Sequence, residues 1–239
     1  MPISDSELQA LLESLTTKTT QIVMTPELLE ELKQRKLPFR SVFKTSQQYI
    51  DDLFDDRKQH ALQLLNQLPS APKMAIPTIT SLYDEIRECI LFGLNGAAIT
   101  LSSILVEFTL KHAIAAHTKG KTVYDKQEWE RLENKELGAV IAEAHKLGLL
   151  HDEIRDDLHD FRRKVRNAYL HYNIKKITAG AVMRHAKIVD TSTGVVEERV
   201  LSAEDNPQIW QAAKRAIDKR MVLGVFEYAD VTVKGLLRE

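Results

Sequence analysis

Arg166 and His171 stand five residues apart in the stretch FRRKVRNAYLHYN, residues 161 to 173, with Asn167 directly after the arginine. A histidine titrates near neutrality and can move a proton. An arginine holds a phosphate through its planar fork and stabilises added negative charge. An amide between them can orient the imidazole or the phosphate. Together these groups suit acid–base chemistry on a phosphodiester, and they require no metal. The plainer reading is a solvated basic face, since residues 161–177 carry six Lys or Arg and no acid.

A helical wheel separates the two faces. With Val165 at zero and about 100° per residue, Leu158, Phe161, Val165, Ala168, Tyr169 and Tyr172 fall within about 60° of one direction. That is a core-facing stripe. Arg163, Lys164, Arg166, Asn167 and His171 share the opposite arc, with Arg166 and His171 about 140° apart at its two sides. Asn167 lies one turn before His171, so their side chains are expected to touch. Leu170 is an apolar residue in the middle of this polar arc, which marks it as a surface that another chain covers.

The elements that must position this helix read at helical period. Ser4 with Glu7 resembles a capping box, and Thr25, Pro26 and Glu27 form a second start signal for a helix that stops before Pro38. A longer helix is expected over about 46–67, and three prolines in LPSAPKMAIP, residues 68–77, mark a module boundary. Residues 1–75 are therefore expected as an N-terminal helical extension and 76–239 as the main helical domain. In that domain, helices are expected near 81–92, along AAITLSSILVEFTLKHAIAAH, along ELGAVIAEAHKLG with Gly148 as its cap, and near 151–173. The β-branched segment near 182–201, with TSTG between two arms, predicts a β-hairpin. The remainder returns to helix, expected as two. The fold class is mainly α, a bundle with a small hairpin.

The run RNAYLH, Arg166 to His171, matches the R-x4-H motif of HEPN domains, with the polar residue after the arginine that is usual there. It lies on the last long helix of a helical bundle. It follows AAITLSSILVEFTLKHAI, which resembles the small-residue and acid pattern of that family's earlier core helix. The resemblance covers about 80–175 and implies an HEPN-like bundle that dimerises through its motif helices, so that both copies face one cleft. It further implies a metal-independent endoribonuclease, often a toxin or antiviral effector, with RNA as substrate and no cofactor. Carried onto this chain, His171 acts as general base or acid, Arg166 stabilises the phosphorane, and Asn167 orients His171 or the phosphate. Arg163 and Lys164 are then supporting RNA-binding residues, and Leu170 belongs to the dimer interface. A protein inhibitor or antitoxin would be a further partner. One toxin subgroup places a tyrosine two residues after the histidine. Here that position is Asn173, so the nucleotidyltransferase antitoxin of that subgroup is not assigned.

Composition narrows the alternatives. The 33 Lys and Arg against 34 Asp and Glu give no global attraction to polyanions, so any RNA contact must come from a local patch. Cys89 is alone, which excludes an internal disulfide and points to a reducing, cytoplasmic setting. The opening MPISDSELQALLESL carries acids where a secretory signal needs a basic start, and no membrane span is expected. Glu107, four residues before Lys111, reads first as an i, i+4 ion pair and second as an acid that positions Arg166. The other histidines lack metal-ligand spacing, GLNG at 93–96 lacks the Gly-Lys ending of a phosphate loop, and no Gly-x-Ser-x-Gly elbow occurs. Trp129 and Trp210 read as core or interface anchors. The rival functional class is a non-catalytic HEPN module that binds RNA or a protein. A purely structural scaffold would leave the Arg-Asn-His spacing to chance.

Overall fold

The computed structural model describes residues 46–69, 76–119, 126–189 and 196–237. The helix starts expected near Ser4 and Thr25, and the TSTG turn, lie outside them. Backbone proximity divides the chain into two units, Met1–Asp51 with Arg184–Val200, and Asp52–Met183 with Leu201–Glu239. The architecture is mainly α, with one small two-stranded antiparallel sheet among the described residues.

The helices are α1 (Ser46–Leu64), α2 (Pro77–Leu91), α3 (Asn95–Lys119), α4 (Lys126–Glu133), α5 (Leu137–Lys146) and α6 (Asp152–Phe161). A π-helical turn, Arg162–Arg166, joins α6 to the short α7 (Asn167–Leu170), which α8 (Ile174–Ile177) follows. The strands are β1 (Val182–Val189) and β2 (Val196–Ser202). A 3-10 turn at Pro207–Ile209 then leads into α9 (Trp210–Leu237).

The centre of the second unit is α3, which packs against α2, α5 and α9. Its buried residues include Ala98, Ile99, Leu105, Val106, Leu110 and Ile114, so α3 is covered on most sides rather than along one amphipathic face. Ser102, Ser103 and Thr109 are buried there too. Their hydroxyls donate to carbonyls of the preceding turn at 2.8, 2.6 and 2.8 Å, which satisfies them inside the helix. The length and apolar character of Asn95–Thr118 would suit a membrane span, yet 61% of its most apolar window is buried inside the protein. That burial is what the core helix of a bundle requires.

Local signals explain the helix ends. Pro77 takes the first position of α2, which therefore starts there and not near 81, because that position has no intrahelical partner for an N–H. Gly148, at φ 73°, closes α5: its N–H donates to the His145 carbonyl, and that of Leu149 to Ala144. Two expectations need correction. The C-terminal segment forms a single helix, α9, because its buried residues Asp218, Val222, Val225, Phe226, Ala229, Asp230 and Val233 keep helical spacing past Gly224. The motif helix ends at Leu170, and Tyr172 leaves the core stripe, being 58% exposed. Constant steps of 100° fail there, because the π turn adds a residue and Tyr172 adopts φ 45°.

Candidate active site at the end of the motif helix

Leu158, Phe161, Val165, Ala168 and Tyr169 are buried and fix the rotation of α6, the π turn and α7 against the core. Arg166 is the last residue of the π turn. π turns inside α-helices recur at functional sites, because the extra residue re-aims the side chains around it. The Arg166 guanidinium reaches α3, where Nη2 donates to Glu107 Oε2 at 2.9 Å. Its Nη1 donates to Asn167 Oδ1 at 3.1 Å, while Nε is buried without a partner.

Glu107 therefore plays both roles read from the sequence. Its other oxygen, Oε1, lies 3.0 Å from Lys111 Nζ, and that ammonium also reaches the Glu133 carbonyl at 3.4 Å. One carboxylate thus joins two cations with little solvent access, leaving one net positive charge at the junction of α3 and the motif helix. Desolvation strengthens each attraction and makes the loss of either partner expensive.

His171 caps α7 and is exposed. Its ring makes no hydrogen bond or ion pair among the described residues. Asn167, expected to touch His171, instead holds Arg166, because its amide faces the guanidinium. The structure so brings Arg166, Asn167 and Glu107 together and leaves His171 at the solvent edge, five residues along. Leu170 is also exposed, at 37%. Arg163 and Lys164 point to solvent, and both bind Asp160, the acid just upstream, with Lys164 at 2.7 Å. Those two cations, first Lys164 and then Arg163, hold the Asp160 carboxyl below the ordinary range. An open depression along α6 is lined by Asp156, Asp157, His159, Asp160, Arg162 and Arg163, and includes neither Arg166 nor His171. No group of three metal-ligating side chains converges among the described residues. Trp129 packs edge-on against Phe108 at 5.1 Å, and Trp210 donates its indole N–H to the Ala203 carbonyl, so both act as anchors.

The structure adds partners for Tyr169 that the helical wheel did not foresee. The Tyr169 phenol donates to Asp218 Oδ1 at 2.7 Å, and Asp218 Oδ2 accepts from Lys214. Burial, and then the bond to Asp218, raises the Tyr169 phenol above its ordinary pKa. Gly96 makes room for this pair, because a Cβ there would sit 2.9 Å from both Asp218 Oδ2 and Lys214 Nζ. The Lys214 ammonium lies 5.2 Å from the Tyr169 ring centroid and 5.6 Å from that of Tyr172. The i, i+4 spacing of Lys214 and Asp218 was a legible signal, whereas their burial and their tyrosine partners were not.

Compared with known proteins, the chain matches no family model, no curated sequence and no solved structure.

Proposed function

We propose that the chain is a metal-independent endoribonuclease of the HEPN type, acting as a homodimer, in the setting of a toxin or antiviral effector. One observation carries the reading: Glu107 and Asn167 hold Arg166 in a fixed orientation, five residues before an exposed and uncommitted His171. A preorganised cation and a free imidazole are the minimum equipment for cleavage by a ribose 2′-hydroxyl. In this mechanism His171 takes the 2′-hydroxyl proton while the 2′-oxygen bonds to phosphorus. Arg166 stabilises the crowded phosphorane. The bond to the 5′-oxygen breaks, that oxygen takes a proton from the His171 imidazolium, directly or through water, and a 2′,3′-cyclic phosphate and a 5′-hydroxyl result. Glu107 and Asn167 are positioning residues for the guanidinium. Leu170, exposed between Asn167 and His171, fits a contact with a second motif helix, which would bring a partner's histidine towards each arginine.

A second reading, RNA binding without cleavage, draws support from the compensation of Arg166 by Glu107, which reduces the charge available to a transition state. One experiment separates the two. Purified protein is incubated with total RNA in EDTA beside His171→Ala and Arg166→Ala variants of matched solubility. Cleavage by the wild type alone, leaving cyclic phosphate ends, is expected. A silent wild type, or equally active variants, rejects catalysis. Binding without cleavage that depends on Arg166 favours the second reading.

A further inference from the structure

Four described residues have a positive φ, and three of them are glycines: Gly93, Gly148 and Gly180. The fourth is Tyr172, at φ 45°. It closes α7 in the manner of a Schellman cap: its N–H donates to the Tyr169 carbonyl at 3.1 Å, and that of Asn173 to Ala168 at 2.8 Å. A Cβ makes this conformation costly, and glycine would close the helix without that cost. Backbone strain of this kind persists where the surroundings over-determine it, and it points to a use for the side chain.

The surroundings are specific. The buried phenol of Tyr169 holds Asp218, Asp218 holds Lys214, and the Lys214 ammonium lies over the Tyr172 ring. A chain of buried polar groups thus supports an aromatic ring from behind by a cation–π contact. The ring itself remains 58% exposed, one peptide from His171.

From this arrangement we infer that Tyr172 is a stacking platform for a base of single-stranded RNA, next to the phosphate that His171 addresses. The inference rests on the ribonuclease reading for its substrate, and it supplies what the Arg–His pair lacks, a contact to a base. Stacking on an aromatic face tolerates any base, so this contact confers a preference for unpaired RNA rather than for a sequence. It also suits a chain with no excess of basic residues, because part of the affinity then comes from an apolar face.

The test uses the full chain and a short single-stranded oligonucleotide that carries 2-aminopurine in randomised flanks, with 2′-deoxy sugars so that it cannot be cut. Stacking is expected to quench its fluorescence with the wild type and with Tyr172→Phe. Tyr172→Leu removes the ring and keeps a Cβ in the left-handed conformation, and Tyr172→Gly removes the ring together with the strain. Each is expected to weaken binding roughly tenfold and to lose the quench. Thermal melting confirms that the variants are folded. The matching RNA is then digested in EDTA, where Tyr172→Leu is expected to raise KM and leave kcat largely unchanged. If the wild type cuts RNA and Tyr172→Leu matches it in quench and KM, stacking is overturned while the ribonuclease reading stands. If the wild type quenches through Tyr172 without cutting, the ribonuclease reading falls and the stacking site stands. A wild type that neither binds nor cuts overturns both.

Discussion

Asp160 and Glu107 each hold two cations of the motif region or its neighbour, yet they differ in what surrounds them. Asp160 binds Arg163 and Lys164 within one turn of its own helix, where the three side chains are 43, 62 and 73% exposed. Glu107 binds Lys111 on its own helix and Arg166 from a residue 59 positions away, where the exposures are 15, 10 and 20%. Water competes freely at the first cluster, and ion pairs of that kind contribute little to stability. At the second, removal of the acid leaves two cations with poor access to solvent. The basic stretch that looks uniform in sequence is therefore divided. Arg163 and Lys164 remain adaptable, whereas Arg166 is held in one pose. Asp218, with Tyr169 and Lys214, extends the series further into the interior.

His171→Ala should produce the largest effect. Loss of a proton-transfer group is expected to cut RNA cleavage by about 10²–10⁴-fold. Because the ring has no partner among the described residues, the denaturation midpoint should not move. A clear loss of stability would mean that His171 belongs to the held region and not to the free one.

Asp218→Asn comes next, since it leaves Lys214 nearly buried without its acid. A loss of about 3 kcal/mol is expected by chemical denaturation. The same interior sets an alkaline limit. The Tyr169 and Tyr83 phenols are raised above their ordinary 10.0, by burial first and then by hydrogen bonds to Asp218 and Asp230. Above pH 10 the unfolded chain releases protons that the folded chain retains, so stability should fall as pH rises beyond that value. A flat profile up to pH 11, an interval chosen at about one unit above the unfolded value, would remove the buried phenols from the comparison.

Glu107→Gln preserves shape and removes one charge from the half-buried set. About 2 kcal/mol of stability should be lost, and cleavage should fall because Arg166 is no longer held. Asp160→Asn is the matched control on the exposed side and should leave the midpoint unchanged at moderate salt. Equal responses from the two variants would break the comparison, because exposure would then not decide the strength of these pairs.

Much of the fold was legible because its signals are local. Gly148 as a cap, the β-branched hairpin arms and the apolar spacing along the motif helix depend on neighbours within a few residues. The wheel placed Leu158, Phe161, Val165, Ala168 and Tyr169 correctly and failed at Tyr172. A uniform helical step cannot foresee a π turn followed by a left-handed cap. The alternatives for Glu107 were both visible, and the structure makes them simultaneous.

The sequence by itself determined that the chain is mainly helical, that the polar arc carries Arg166, Asn167 and His171, and that Glu107 and Lys111 share a helix face. Periodicity and i, i+4 spacing suffice for each of these. Only the tertiary structure decided that Glu107 reaches Arg166, that Tyr169 meets Asp218 across 49 residues, and that the Lys214 ammonium lies over the Tyr172 ring. Those partners lie on different elements, and their meeting depends on the register and rotation that core packing imposes.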